Sequence, residues 1–233
     1  ALYAPAHIWM SQFYLNSKLL SLMTEANRES LAIKQLEYAI DVAPTSQAAN
    51  FDLAALRLKQ AEQLEKTDPE YRSLVEAAIG NLRTITDGEL TGLRLMAIPR
   101  LFELECELDN REEAEVRLRS EVNTLLDFGR KYPNVYEVWL TAIRCKISLG
   151  DYLGAIAIAK EGSQSVSDAT VRQKINQLAS QVYAKRANDF ENMEGLGILE
   201  LSEEDLALCE FICPSKTPLQ SILRDGLDTM RDQ

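Results

Sequence analysis

The sequence predicts an all-α fold built from consecutive antiparallel helix hairpins, and three observations carry that expectation. Gly (10) and Pro (7) are scarce among the 233 residues while Ala, Leu and Glu are abundant, the balance of long helices rather than of a turn-rich β protein. Apolar residues recur at helical spacing almost throughout, and the periodic stretches break at intervals of roughly 15 to 25 residues. Looser copies of one residue pattern, clearest around Gly150-Asp151, recur along the chain. A hydrophobic share of 46% is enough for a continuous core.

The breaks delimit about eleven helices. The first is expected from Pro5 to Glu25, with Pro5 in the first turn, and the second from Arg28 to Val42, stopped by Pro44. The third runs from Ser46 to Glu65 and carries Leu53, Leu56 and Leu64. The fourth starts at Asp68-Pro69, an N-cap followed by Pro at the first helical position, and ends near Thr86. The fifth spans Glu89 to Leu108 and contains Pro99, which removes a backbone donor and is expected to kink or divide it. The sixth spans Arg111 to Lys131, before Pro133. The seventh and eighth, Val135 to Leu149 and Tyr152 to Val166, flank Gly150-Asp151. The ninth follows Asp168 and reaches Asn188. Residues 189–201, with Gly195 and Gly197, read as an irregular acidic turn. Ser202-Glu203-Glu204-Asp205 opens a tenth helix with a capping-box-like start, and Thr217-Pro218 an eleventh.

Charge narrows the function classes. The net charge is −11, and from Asp189 to Glu210 there are eight acidic residues and no Lys or Arg. A nucleic-acid backbone requires clustered Lys and Arg, and no basic block exists, so a nucleic-acid partner is not expected. The acidic run lacks the alternating oxygen ligands and fixed Gly of a calcium loop and reads as a solvated turn. No apolar stretch approaches the roughly 18 residues of a membrane span. Four cysteines, Cys106, Cys145, Cys209 and Cys213, show no disulfide-framework spacing, which favours a reducing compartment such as the cytoplasm or simply buried thiols, with any anchor outside this chain.

Catalytic chemistry finds little support. His7 is the single histidine, so neither a histidine metal site nor a second imidazole is available, and no Cys neighbours it in sequence. Cys209 and Cys213, four apart, share a helix face and would supply two metal ligands at most, without a second pair. No phosphate-cradling Gly-rich loop or Ser-His-Asp arrangement is present. The chain is expected to be no enzyme and to need no cofactor.

Residues 136–169 contain Trp139, Ala142, Gly150-Asp151-Tyr152, Ala155 and Ile156 in the order and spacing of the tetratricopeptide repeat, which this segment resembles. Ala142 and Ala155 are small enough for two helices to cross closely, Gly150 permits the tight connection, and Trp139 and Tyr152 fill gaps between hairpins. Looser copies include Ala32, Leu36, Ala39 and Pro44; Ala114 and Leu118; and Leu206, Cys209 and Pro214. Trp9 and Trp139 are both expected in the core. The opening Tyr3-Ala4-Pro5-Ala6-His7-Ile8-Trp9 is similar to an inter-repeat junction of bacterial tetratricopeptide proteins, which implies a further helix before Ala1 and a longer parent protein.

The resemblance implies an α-solenoid, a right-handed superhelix forming one repeat domain over residues 1–233, with a concave face lined by the first helix of each pair. It implies a protein or peptide ligand in that groove. The groove positions carried over are Tyr14, Lys18, Phe51, Asp52, Lys59, Arg100, Glu103, Arg144, Ser148, Asn176 and Gln177. The family's two-carboxylate clamp is missing, since Leu140 and Arg144 stand where it places Lys and Asn; the mixed charges point to a helical or extended segment instead. A scaffold or adaptor is therefore expected, and the alternative is a structural or self-associating segment of a larger protein. The apolar stripe Leu219, Ile222, Leu223, Leu227 and Met230, backed by Arg224, Asp225, Asp228 and Arg231, reads as a capping helix.

Overall fold

A computed structural model describes residues 3–17, 20 and 23–194, with the backbone alone from 183 onward. Among them are nine helices and no strand: α1 Ala4–Asn16, α2 Glu25–Val42, α3 Gln47–Ala61, α4 Pro69–Thr86, α5 Gly92–Glu107, α6 Arg111–Lys131, α7 Tyr136–Ser148, α8 Tyr152–Ser165 and α9 Ala169–Glu194. The expected tenth and eleventh helices, Cys209, Cys213, the stripe from Leu219 to Met230 and Lys18 lie outside the described residues. Two compact units divide the chain within α6, Ala1–Leu118 and Arg119–Gln233.

The helix starts follow the capping residues. Thr24, Ser46, Asp68, Thr91 and Asp151 each accept a backbone N–H of the first turn, from Asn27, Ala49, Glu70, Arg94 and Gly154. Five boundaries differ from the periodicity. α1 stops at Asn16, not Glu25, where Ser17 N–H closes onto Phe13, and Thr24 starts α2 three residues before Arg28. α3 ends at Ala61 because Gln63 and Leu64 bond three residues back, a tightening that terminates it before Glu65. α5 begins at Gly92, since Gln47 Nε2 donates to the Glu89 carbonyl and Thr91 takes the cap. α9 continues to Glu194, six residues into the stretch expected to be an irregular turn, because 189–194 hold no Gly or Pro. Pro99 does not divide α5.

In the first unit, α1 pairs with α2 and α3 with α4, while α3 also neighbours α1 and α5. α3 serves two cores. Leu53 and Leu56 pack with Ala4, Ala32, Leu36, Ala39 and Ala49. Its Ala54 and Ala61 pack with Val75, Ala78, Ile79, Leu82, Ile85, Ala97, Leu101 and Leu104. The recurrence of fully buried alanines allows the backbones to approach closely. Polar groups thread between them: Asn81 Nδ2 donates to Asn50 Oδ1 at 2.7 Å, Asn50 Nδ2 to the Pro44 carbonyl at 2.9 Å, and Arg57 Nη1 to Asn81 Oδ1 at 2.6 Å.

In the second unit, α7 pairs with α8 and α8 with α9. Trp139 is 0% exposed and donates from Nε1 to the Pro133 carbonyl at 3.0 Å. Its ring lies against Gly129 and Gly162, where an added Cβ would come within 3.0 Å of it. Gly150 turns the chain between α7 and α8 at φ 72, the left-handed region that favours glycine. Arg130 grips Glu161 with two bonds, Nε to Oε1 at 2.7 Å and Nη2 to Oε2 at 3.2 Å. Trp9, by contrast, is 63% exposed and stacked on Phe13, with ring centroids 5.6 Å apart. The expectation of a core Trp9 fails because α1 turns Ala4, Ile8, Ser11 and Leu15 inward and Trp9 falls on its other face.

Ala155 and Ala142 are both fully buried. Ala155→Leu forces three more heavy atoms into that packing and should cost about 1 to 3 kcal/mol through strain. Thermal denaturation checks it; a midpoint equal to the parent's would show that this packing yields freely.

Candidate functional site

Phe51, Ala54, Ala55, Leu58 and Lys59 of α3 and its C-cap Glu62 are spaced three, one, three, one and three residues apart and so share one helix face. That face is only partly closed by its neighbours. With Leu82 of α4 and Arg100 of α5 it lines an open pocket of about 300 Å³. Ala54 and Leu82 are buried, Phe51 and Leu58 half-buried, and Ala55, Lys59, Glu62 and Arg100 exposed. The result is an apolar floor with a charged rim, a size and character suited to one or two large apolar side chains.

The rim charges differ in how they are partnered. Lys59 Nζ donates to Glu25 Oε1 and to Glu29 Oε1, both at 2.5 Å, and these hydrogen bonds hold its ammonium above the ordinary lysine range. The same bond to Lys59 lowers Glu25. Arg100 Nη1 donates to Glu103 Oε2 at 3.1 Å. One turn on, Glu107 accepts from Lys66 Nζ and the Tyr71 hydroxyl, which lower its carboxyl. Glu62 has no side-chain partner among the described residues.

A buried carboxylate ties α5 to α4. Glu105 is 1% exposed and its Oε1 accepts from Arg83 Nε at 3.0 Å and Nη2 at 2.8 Å, with Arg117 Nε 3.4 Å away. This turns Glu105 inward between α4 and the start of α6 and leaves Arg100 and Glu103 outward.

The pocket brings together Phe51, Lys59 and Arg100 of the groove set, with Glu103 beside Arg100. Asp52 lies next along α3, where burial pushes its carboxyl above the usual aspartate range against a 3.5 Å bond from Gln12 Nε2. Tyr14 packs on the α1–α2–α3 core and meets Phe13 edge-on. In the second unit Arg144 and Ser148 are exposed one turn apart on α7; on α9 Gln177 is exposed and Asn176 half-buried, its carbonyl accepting from Ser180. Close to them in sequence, Lys174 Nζ stands 4.7 Å from the Tyr136 ring centroid. The sequence reading missed Ala54, Ala55, Leu58, Glu62 and Leu82; the apolar period of α3 is visible in the sequence, but only a neighbour's position tells which of its two faces stays open.

Two further cysteines and the histidine lie within the described residues. Burial pushes the Cys145 thiol up to about 12 and raises Cys106, which disfavours the nucleophilic thiolate at both. His7 Nδ1 lies 2.9 Å from Gln35 Oε1, joining α1 to α2. Among the described residues no helix is long and apolar enough to cross a membrane.

No family model matches the chain. Short stretches are similar to one of the subunits of the Na(+)-translocating NADH-quinone reductase: 57% identity over 44 residues in Shewanella denitrificans and 49% over 47 residues in Vibrio alginolyticus. These stretches are 19% and 20% of this chain, which spans 10% of the length of either relative. Human IFIT1, solved as a dimer with PPP-AAAA, is similar in structure over 97% of this chain and 46% of its own, with a TM-score of 0.50 and 14% identity. IFIT1 is a helical protein containing tetratricopeptide repeats, and the likeness makes the fold of this chain tetratricopeptide-like.

Glu105→Ala would leave Arg83 and Arg117 facing a vacated carboxylate site. Because both arginines still reach solvent, the cost should fall to about 1 to 3 kcal/mol, below that of breaking a fully buried pair. Chemical denaturation measures it, and an unchanged midpoint would mean that the carboxylate does not tie α5 to α4.

Proposed function

We propose that this chain is a non-catalytic scaffold or adaptor that holds a segment of another protein, and that the pocket on α3 is where the segment anchors. The observation that carries this reading is the open face of α3. In a helical array the faces that meet neighbouring helices are closed and the concave face stays open, and here Phe51, Ala55 and Leu58 remain accessible beneath a charged rim. The tetratricopeptide-like fold supports it, since arrays of this kind present the first helices of successive pairs to ligands. Raised thiols and a single histidine tied to Gln35 support a binding rather than a catalytic role. A net charge of −11 argues against a nucleic-acid partner. Free thiols at Cys106 and Cys145 suit a reducing compartment such as the cytoplasm.

A second reading, a structural or self-associating segment, is favoured by the stacked and exposed Trp9–Phe13 pair on α1. Sedimentation equilibrium of the parent and of Trp9→Glu separates it: a dimer that the variant dissociates supports association through α1, and a monomer at all concentrations removes it.

Ala55 is exposed, so Ala55→Trp fills the pocket from its open side and lies over the core rather than within it, and stability should change by no more than about 0.5 kcal/mol. A partner recovered by affinity pull-down should be lost from this variant and retained by the exposed α2 control Lys34→Glu. Retention by Ala55→Trp and loss by the control would place recognition elsewhere.

A further inference from the structure

We infer that the segment anchored in the α3 pocket is basic: a large apolar side chain flanked by Lys or Arg. This rests on the pocket being the binding site and adds the sign of its ligand. Charge complementarity at the rim favours a cation. Two cations, Lys59 and Arg100, stand at the rim, and both are already engaged by carboxylates, Lys59 by Glu25 and Glu29 and Arg100 by Glu103. Glu62 stands at the same rim with no partner among the described residues. These six groups carry a surplus of two negative charges.

An incoming carboxylate would have to displace Glu25, Glu29 or Glu103 from a cation that it already satisfies, and would meet the surplus. Glu29 is itself buried, so its bond to Lys59 is held in place by the fold and is not readily surrendered. An incoming ammonium or guanidinium meets Glu62 directly and displaces nothing. The apolar floor of Phe51, Ala54, Leu58 and Leu82 then receives the neighbouring side chain, so anchor and charge are read side by side. The overall charge of −11 adds long-range attraction of the same sign.

The test uses the whole chain and a randomised peptide library selected in parallel on the parent, on Ala55→Trp and on Glu62→Lys, two exposed positions, with circular dichroism confirming that each variant is folded. Peptides that bind the parent but not Ala55→Trp define the pocket ligands. They should carry a large apolar residue with Lys or Arg close beside it, bind Glu62→Lys roughly three- to tenfold more weakly, and weaken as salt is raised. Pocket-dependent peptides rich in Asp or Glu, or indifferent to Glu62→Lys, overturn the inferred charge and leave the pocket standing. Selected peptides that all bind Ala55→Trp as well as the parent overturn the pocket itself.

Discussion

Close helix crossing is the constraint on which the rest of this structure depends. Ala32, Ala39, Ala49, Ala78, Ala97, Ala142 and Ala155 are all fully buried, and at each the neighbouring backbone comes near because no side chain extends beyond Cβ. Hairpins held that close have little room for large groups, so these occupy defined slots. Trp139 is the limiting example: its indole lies against Gly129 and Gly162, where a Cβ would press on it. Stacking of this kind is unforgiving in both directions, since interiors are packed to crystal-like density and neither added nor missing volume is absorbed cheaply.

Apolar packing is non-directional, and faces made of Ala and Leu resemble each other one turn apart. The buried polar groups supply the missing direction. Asn50 and Asn81 join α3 to α4, and Glu105 joins α5 to α4 and α6; each would be left unsatisfied by a slip of one turn. The pocket depends on this register, because it is the setting of α4 and α5 against α3 that brings Leu82 and Arg100 to an otherwise ordinary helix face.

The fold class is legible in the sequence because it rests on local signals. Capping residues Asp68, Asp151 and Asp168, the prolines 69 and 133, the Gly150 turn and the small-large-small spacing of Ala32, Leu36 and Ala39 are each read within a few residues. Where local signals compete, the periodicity misleads: the apolar residues between Asn16 and Thr24 keep a helical spacing, yet Thr24 takes the role of a cap. Trp9 reads as core because both faces of α1 are apolar and one sequence does not say which face meets a neighbour. The site is less legible for the same reason. Phe51, Lys59 and Arg100 are positions the family resemblance implies, whereas the partnering of Lys59 by Glu29, 30 residues away, and the freedom of Glu62 are set by three-dimensional placement.

Within the first unit, each helix meets partners one or two places along the chain, α1 with α2 and α3, and α3 with α4 and α5. Contact order is therefore low, and the entropy of closing each loop is small when the contacts that reward it form. Folding of such a unit is fast for its size and begins at whichever hairpin forms first, with neighbours adding by templating. The same locality means that a damaged hairpin loosens its immediate neighbours before it reaches more distant ones, so lesions in this unit are expected to act by distance along the chain as much as by distance in space.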